Sequence, residues 1–585
     1  MSLVTVDDLS VRFGATTVVS GVSFSVEEGE CIGIVGESGS GKSVTARALL
    51  GLAGRRAAVS AAALDVDGTD IRTASPRQLR ALRGRETGYV SQGALVALDP
   101  LRPVGREISD SLRLHTTMTP VERRARVLEL LADVGVPEPS LRAGQRPDEL
   151  SGGLRQRAVI ASAIALRPRL LIADEPTTAL DSTVQAGILD LLERLRDAGT
   201  AVILISHDLA VVSRLATRVL VMNAGTIVES GPTARVLGEP RHPYTRRLIA
   251  AVPTDRPRGT RLTPAVAAAP AAVPAAAGFP VAASVAAPVA APVGNSGTAV
   301  ADDTESSVST PGATATPEFP KTPGDAGGRA VVVAASRLSR RFGARLAVDD
   351  VSFTLERGRT LGVVGESGSG KTTVARLVLA LDRPDAGDVH VLGEPWTTAT
   401  ERERRALRPR IGAIYQDALS SFDPRFTVGR ILADAVSHGR STRAGDEVAA
   451  LLRRVGLDPA VAARRPLYLS GGQQQRVAIA RAIAAKPDVI VCDEPVSSLD
   501  VSVQAQVLDL LDELQRDLGI SYLFITHDLG VVRHVSDDVL VMQHGRVVES
   551  GPTERVFTDP RDPYTRALFA SAPRIGGWRA PTPPS

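Results

Sequence analysis

Apolar residues gather in short unbroken runs, and the same order of runs is written twice along the chain. In the first half the runs at 31–35, 170–173, 201–205 and 219–222 carry no charge, as strands buried on both faces of a sheet do. The stretches 4–11, 18–26 and 88–91 also read as strands. Residues 226–229 read as the return strand of a hairpin turned at Asn223-Ala224-Gly225. Helix-like segments fall between them, at 44–52 and 184–196, with a helical insert between 92 and 151. In that insert Thr119-Pro120-Val121-Glu122 is a capping box with proline at the first helical position. Val121, Leu128, Leu131 and Val134 then follow helical spacing up to Gly135. Strands alternating with helices predict an α/β domain with a mostly parallel sheet. The second half repeats the order, with apolar runs at 361–364 and 489–492 and a helix at 373–381.

The middle breaks this pattern. From 254 to 330 the sequence is dominated by Ala, Pro, Val, Gly and Ser, and Pro264, Pro270, Pro274, Pro280, Pro288 and Pro292 interrupt any helix its alanines favour. It is predicted to be a flexible linker, spanning roughly 50 Å r.m.s. if it behaves as a coil. Tethered halves then meet at an effective concentration on the order of millimolar. The predicted domains are 1–253, the linker 254–330, 331–573, and a disordered tail 574–585.

Chemistry enters where the runs end. After 31–35 comes GESGSGKS, made of Gly36, Glu37, Ser38, Gly39, Ser40, Gly41, Lys42 and Ser43. After 361–364 comes GESGSGKT, made of Gly365, Glu366, Ser367, Gly368, Ser369, Gly370, Lys371 and Thr372. Strand, glycine loop, lysine, hydroxyl and helix form the context of a phosphate-binding loop. Glycines let backbone N–H groups crowd around a phosphate, and the helix start adds positive potential. Lys42 and Lys371 would reach the β- and γ-phosphates; Ser43 and Thr372 offer hydroxyls to Mg²⁺. Of 68 basic residues only four are lysines, and two of those stand at this one position. A compact ammonium fits between phosphates where a guanidinium does not.

The run 170–173 delivers Asp174-Glu175, and 489–492 delivers Asp493-Glu494. Asp174 and Asp493 are placed for the Mg²⁺ shell, Glu175 and Glu494 to polarise an attacking water. His207 and His527 each follow an apolar strand, in SHD and THD. A neutral imidazole there suits a γ-phosphate contact that holds water and glutamate in line. Ser151-Gly152-Gly153 and Ser470-Gly471-Gly472 each open a helix. Serine is a good N-cap and bare glycines expose donors. A second anion site per half is resolved most simply if each serves the other half's nucleotide.

The whole-chain numbers narrow the class. A chain of 585 residues with 43% hydrophobic content holds more than one cored domain. The net charge of +3 and the lack of a basic, aromatic-interleaved patch give nucleic-acid binding little support. No signal peptide or membrane span is read, and the chain is expected to be cytosolic. Cys31 and Cys492 lie in different halves inside apolar runs and read as buried thiols; no iron–sulfur cluster is expected.

Phosphate loop, Gln92 or Gln416, LSGG, strand-Asp-Glu, Ala179-Leu180-Asp181 or Ser498-Leu499-Asp500, then histidine, in that order, resembles the ATP-binding-cassette ATPases over nearly everything outside the linker. The resemblance implies two P-loop NTPase domains, each with a mostly parallel sheet core, an antiparallel β part and a helical insert. It implies that the cassettes pair head to tail within this chain and sandwich two ATP molecules with Mg²⁺, Lys42 facing Ser470 and Lys371 facing Ser151. Phe13 and Phe342, each 23 residues before the loop's first glycine, match the adenine-stacking aromatic. Gln92 and Gln416 match glutamines that sense the γ-phosphate beside the metal and touch membrane subunits. The tails HPYTRRLIAAVP and DPYTRALFASAP resemble those of oligopeptide, dipeptide and nickel importer ATPases. The expected function is therefore the ATPase of such an importer on the inner membrane face, with two permease subunits and an extracellular solute-binding protein. A twin-cassette factor on ribosomes or nucleic acid, and an exporter motor, are the alternatives; the Ala/Pro-rich linker and the importer-like tails disfavour them. Gly93 follows Gln92 where Asp417 follows Gln416, so the halves are expected to couple unequally to their partners.

Overall fold

The computed structural model describes residues 2–54, 56–91, 97–177, 180, 182–254, 256–263, 329–437, 444–497 and 499–571. Gln92, Gly93, Ala179, Asp181 and Ser498, most of the expected linker and the expected tail lie outside the described residues. The chain divides into two units: Met1–Ala265 with Val331–Ser585, and Val266–Ala330. The first unit carries both repeats.

Each repeat is built on a six-stranded sheet. In the first half its order is Thr226–Pro232, Arg218–Asn223, Cys31–Val35, Ala201–Ile205, Leu170–Asp174, Thr87–Val90. Only Thr226–Pro232 runs antiparallel to its neighbour. The second half has the same order, from Arg546–Pro552 through Asp538–Gln543, Thr360–Val364, Ser521–Ile525 and Val489–Asp493 to Ile411–Ile414. Every residue of Cys31–Val35, Leu170–Asp174 and Ala201–Ile205 is buried. This is why these strands read as unbroken apolar runs: both faces are covered. Ile32 and Ile34 enter one core cluster with the antiparallel sheet, and Cys31 and Val35 enter another with the helices of the insert.

The second sheet of the first half pairs Thr16–Glu27, Ser2–Phe13, Ala63–Val66 and Thr69–Asp70, with Ala57–Ser60 also on Ser2–Phe13. Its counterpart joins Arg345–Glu356, Val331–Phe342, Ala386–Val391 and Glu394–Pro395. The short strands after the phosphate loop are absent from the sequence reading. They are two to four residues long and partly exposed, too short to show a period of two.

The insert helix Pro120–Asp133 begins at the predicted box: Thr119 Oγ1 accepts the Glu122 N–H, and Glu122 accepts the Thr119 N–H at 2.7 Å. Its buried face is Val127, Leu130 and Leu131. Val121, expected on that face, is 79% exposed, because the first turn extends past the core. Past the first cassette the chain crosses over. Ala251 and Leu262 are buried in the core of the second half. The Leu262 and Thr263 N–H groups both bond Asp509 at 2.9 Å, Arg258 bonds Gln515 at 2.8 Å and pairs with Asp537, and Arg261 pairs with Glu513 at 3.3 Å.

Candidate functional site

The phosphate loops leave the C-terminal ends of the central strands Cys31–Val35 and Thr360–Val364, where a parallel sheet presents its crevice. Gly36, Gly39 and Gly41 have φ of 153°, 82° and 101°; Gly365, Gly368 and Gly370 have 149°, 82° and 105°. A Cβ on Gly36 or Gly365 would lie 2.2 Å from the carbonyl oxygen of Met222 or Met542. Only glycine lets the loop fold this tightly, the geometry in which a loop backbone can cradle a phosphate. Lys42 and Lys371 are 6% exposed. Lys42 Nζ donates to Gly36 O at 2.7 Å and Glu37 O at 2.8 Å; Lys371 Nζ donates to Gly365 O and Glu366 O, both at 2.7 Å. Burial pushes the Lys42 ammonium below its usual range, against the pull of the carboxylates of Glu175, Asp174, Asp500 and Glu37. Ser40 Oγ is buried in the loop without a hydrogen-bond partner, a donor suited to a phosphate oxygen.

Beside each loop stands the predicted oxygen pair. Ser43 Oγ donates to Asp174 Oδ1 at 2.9 Å, and Thr372 Oγ1 donates to Asp493 Oδ1 at 3.4 Å. Burial raises both aspartates above the usual range, opposed by the hydroxyls. An oxygen donor set of this kind fits Mg²⁺, which takes one or two protein oxygens and leaves the rest to phosphates and water. Tyr89, unremarked in the sequence reading, donates its hydroxyl to Asp174 Oδ2 at 3.3 Å; a lone tyrosine in an apolar strand was the available signal.

Glu175 and Glu494 follow with φ of 52° and 50°, a left-handed backbone that non-glycine residues adopt at a cost of about 1 kcal/mol. The kink turns each carboxylate to its histidine: His207 Nδ1 lies 3.3 Å from Glu175 Oε1, and His527 Nδ1 lies 3.0 Å from Glu494 Oε1. Gln416 Nε2 donates to Glu494 Oε2 at 2.9 Å. Burial raises the Glu494 carboxyl, but the hydrogen bond and charge of His527, with Lys371, win and hold it below the usual range. Burial lowers both histidines, and their glutamates outweigh it, so both sit above the ordinary imidazole value.

Contacts also join the halves. Ser182 Oγ donates to His527 O at 3.4 Å, and Thr183 Oγ1 donates to Glu366 Oε1, inside the other half's phosphate loop, at 2.7 Å. Asp500 acts reciprocally on Lys42. A cavity of about 290 Å³ lies on this seam, lined by His207 and Asp208 from one half and His527 and Asp528 from the other. Asp500 stands in a motif singled out above, whereas Thr183 was not among the predicted site residues; nothing in the local pattern marks a contact made across 183 residues of chain. Ser151 caps Gly152–Ala163 through the Leu154 N–H, and Ser470 caps Gly471–Ile483 through the Gln473 N–H. Ser151, Gly152, Ser470 and Gly471 are exposed, while Gly153 and Gly472 are half-buried. Phe342 is 47% exposed with Arg340 stacked 5.0 Å from its ring centre. Phe13 is half-buried against the core.

Glycine loop, buried lysine, hydroxyl–aspartate pair and kinked glutamate–histidine pair, twice over, define a P-loop nucleoside-triphosphatase with two sites. The family model for the ABC transporter matches residues 19–178 and 348–497, and that for the oligopeptide/dipeptide transporter C-terminal region matches 228–278 and 548–584. The chain belongs to the ABC transporter family, as a twin-cassette ATPase. It is 42% identical to the peptidoglycan transport ATP-binding protein YejF of Agrobacterium fabrum, over 97% of this chain and 96% of that one. It is 42% identical to the oligopeptide transport ATP-binding protein OppD of Mycobacterium tuberculosis, over 98% of each. It is 39% identical to the glutathione import ATP-binding protein GsiA of Escherichia coli, over 98% of this chain and 90% of that one. A solved dimeric cassette of a bacterial ABC transporter aligns with 39% of this chain and 98% of its own length, at 27% identity and a TM-score of 0.36.

Proposed function

We propose that this chain is the motor of an importer for di- or oligopeptides or similar small solutes. It works on the inner face of the cell membrane, driving two permease subunits that an extracellular binding protein supplies. The observation that carries the reading is the importer-type C-terminal region behind each of two complete cassettes in one chain. Among the described residues no helix is long and apolar enough to cross a membrane, which agrees with permeases on separate chains.

In each site the loop backbone and Lys42 or Lys371 hold the β- and γ-phosphates. Ser43 and Asp174, or Thr372 and Asp493, with Gln92 or Gln416 alongside, would hold Mg²⁺, which when bound would neutralise charge on the phosphate oxygens. Glu175 or Glu494 takes the proton of the attacking water, and His207 or His527 fixes that carboxylate's direction. Phe13 and Phe342 stack on adenine. Ser470-Gly471-Gly472 completes the site of Lys42, and Ser151-Gly152-Gly153 that of Lys371, so ATP draws the halves together and hydrolysis releases them. The hydrogen bond of Thr183 to the opposite loop and the charge of Asp500 acting on Lys42 support this arrangement. The test is affinity capture of the chain from solubilised membranes, followed by ATP-dependent uptake of labelled peptides into vesicles. Co-purifying permeases and uptake are expected; recovery with ribosomes or nucleic acid instead overturns the reading.

A further inference from the structure

The C-terminal motifs HPYT and DPYT each end near a phosphate loop. Tyr244 Oη accepts the Glu37 N–H at 3.0 Å, and Tyr564 Oη accepts the Glu366 N–H at 3.1 Å. Glu37 and Glu366 are the second residues of the two loops. The same bond is thus made twice, across 207 and 198 residues of chain. Each tyrosine is held by a matched scaffold. Glu229 accepts the N–H groups of Arg241 and His242 at 2.9 and 3.0 Å, and His242 Nδ1 accepts the Tyr244 N–H at 3.2 Å. In the second half Glu549 accepts those of Arg561 and Asp562 at 3.1 Å, and Asp562 Oδ1 accepts the Tyr564 N–H at 2.8 Å. A histidine and an aspartate do the same work, so the geometry persists although the capping chemistry differs.

Each tail helix also leans on the other half. Pro243–Ala250 packs against Val501–Leu518, and Pro563–Ser571 against Ser182–Asp197. The latter helix begins with Ser182 and Thr183, the residues that cross the seam. Glu366 is therefore held at its N–H by Tyr564 and at its carboxylate by Thr183 of the opposite half. Tyr244 is 4% exposed, so its ring has one seat and its hydroxyl one direction.

We propose that Tyr244 and Tyr564 are positioning residues for ATP binding, each fixing the shape of its own half's phosphate loop from a tail helix braced on the other half. The proposal rests on residues 36–43 and 365–372 being the phosphate sites. Tyr→Phe keeps the ring and removes the acceptor, so a loop N–H loses its partner. A net hydrogen bond of about 1 kcal/mol corresponds to roughly five-fold in affinity.

The test is equilibrium binding of labelled ATP to the full chain, with no turnover needed. In a Glu175→Gln, Lys371→Ala background only the Lys42 site binds; in a Glu494→Gln, Lys42→Ala background only the Lys371 site does. Tyr244→Phe is expected to raise Kd about five-fold in the first background, with Tyr564→Phe within two-fold of the parent, and the reverse in the second. A general structural weakening would move both sites alike. Unchanged Kd, or equal effects of either tyrosine on one site, overturns the proposal. Undiminished binding after Lys42→Ala with Lys371→Ala instead overturns the loop assignment beneath it.

Discussion

Replacing both kinked glutamates, Glu175→Gln with Glu494→Gln, isolates the charge that the mechanism needs. Glutamine is nearly isosteric, so the partners of Glu494, His527 at 3.0 Å and Gln416 at 2.9 Å, keep hydrogen-bonding options. The strand that carries each residue is anchored by backbone, Glu175 N–H to Ile205 O at 2.9 Å and Glu494 N–H to Ile525 O at 2.8 Å. Neither bond depends on the side chain, and folding should survive. What is lost is proton acceptance from water. A positioned general base contributes roughly 10²- to 10⁴-fold, or about 3–5 kcal/mol of barrier. Steady-state phosphate release should fall by that factor, while the Kd for ATP stays within about three-fold, since the loop and lysine are untouched. Release above a tenth of the parent rate would refute the assignment of the base. A ten-fold loss of ATP affinity would show instead that the glutamates hold the loop.

Ser470→Ala should depress the hydrolysis that depends on Glu175 and Lys42 more than that which depends on Glu494 and Lys371, read in single Glu→Gln backgrounds; the opposite bias rules out head-to-tail sharing. Asp509→Ala leaves the Leu262 and Thr263 N–H groups without their acceptor, costing about 1–3 kcal/mol. Limited proteolysis should then cut within 254–263 sooner than in the parent, and unchanged cutting would deny that Asp509 holds this segment. Glu229 and Glu549 are raised by burial but held below the usual carboxylate range chiefly by the backbone N–H groups they accept. Their stabilisation is complete above the unfolded value near 4.3 and lost as pH falls through the lower folded value. Glu549→Gln should therefore lower Tm at pH 7 and narrow the gap below pH about 4; a gap that widens on acidification contradicts this.

Much of the site was legible because its parts end buried strands. An apolar run of four or five residues that stops at Gly36, at Asp174 or one residue before His207 announces both the strand and the chemistry at its edge. The glutamate–histidine pairing needed only the parallel neighbours Leu170–Asp174 and Ala201–Ile205 in register. What escaped was long range or too short. The strands between 57 and 70 are edge pieces without room for a period. Val121 kept helical spacing yet faces solvent, since spacing gives a stripe and not where the core stops. Leu262 and Thr263 read as linker from their composition, whereas Asp509, 246 or more positions away, accepts both their N–H groups. Tyr244 looked like a family tag because its hydroxyl's partner lies 207 residues earlier.

The metal-side aspartates of the two sites are held differently among the described residues. In the first half Asp174 is tied from both oxygens, by Ser43 at 2.9 Å and Tyr89 at 3.3 Å. In the second, Thr372 is 3.4 Å from Asp493, and strand Ile411–Ile414 offers Ala413 at the register position of Tyr89. In the second half Glu494 is bonded at both oxygens, by His527 and Gln416. A carboxylate already aimed loses less freedom when it takes the proton of the attacking water, and one already bonded must give up a partner to take a new one. Thr183 joins the helix behind the first site to the loop of the second at 2.7 Å, so a movement of that helix would reach the opposite phosphate loop directly.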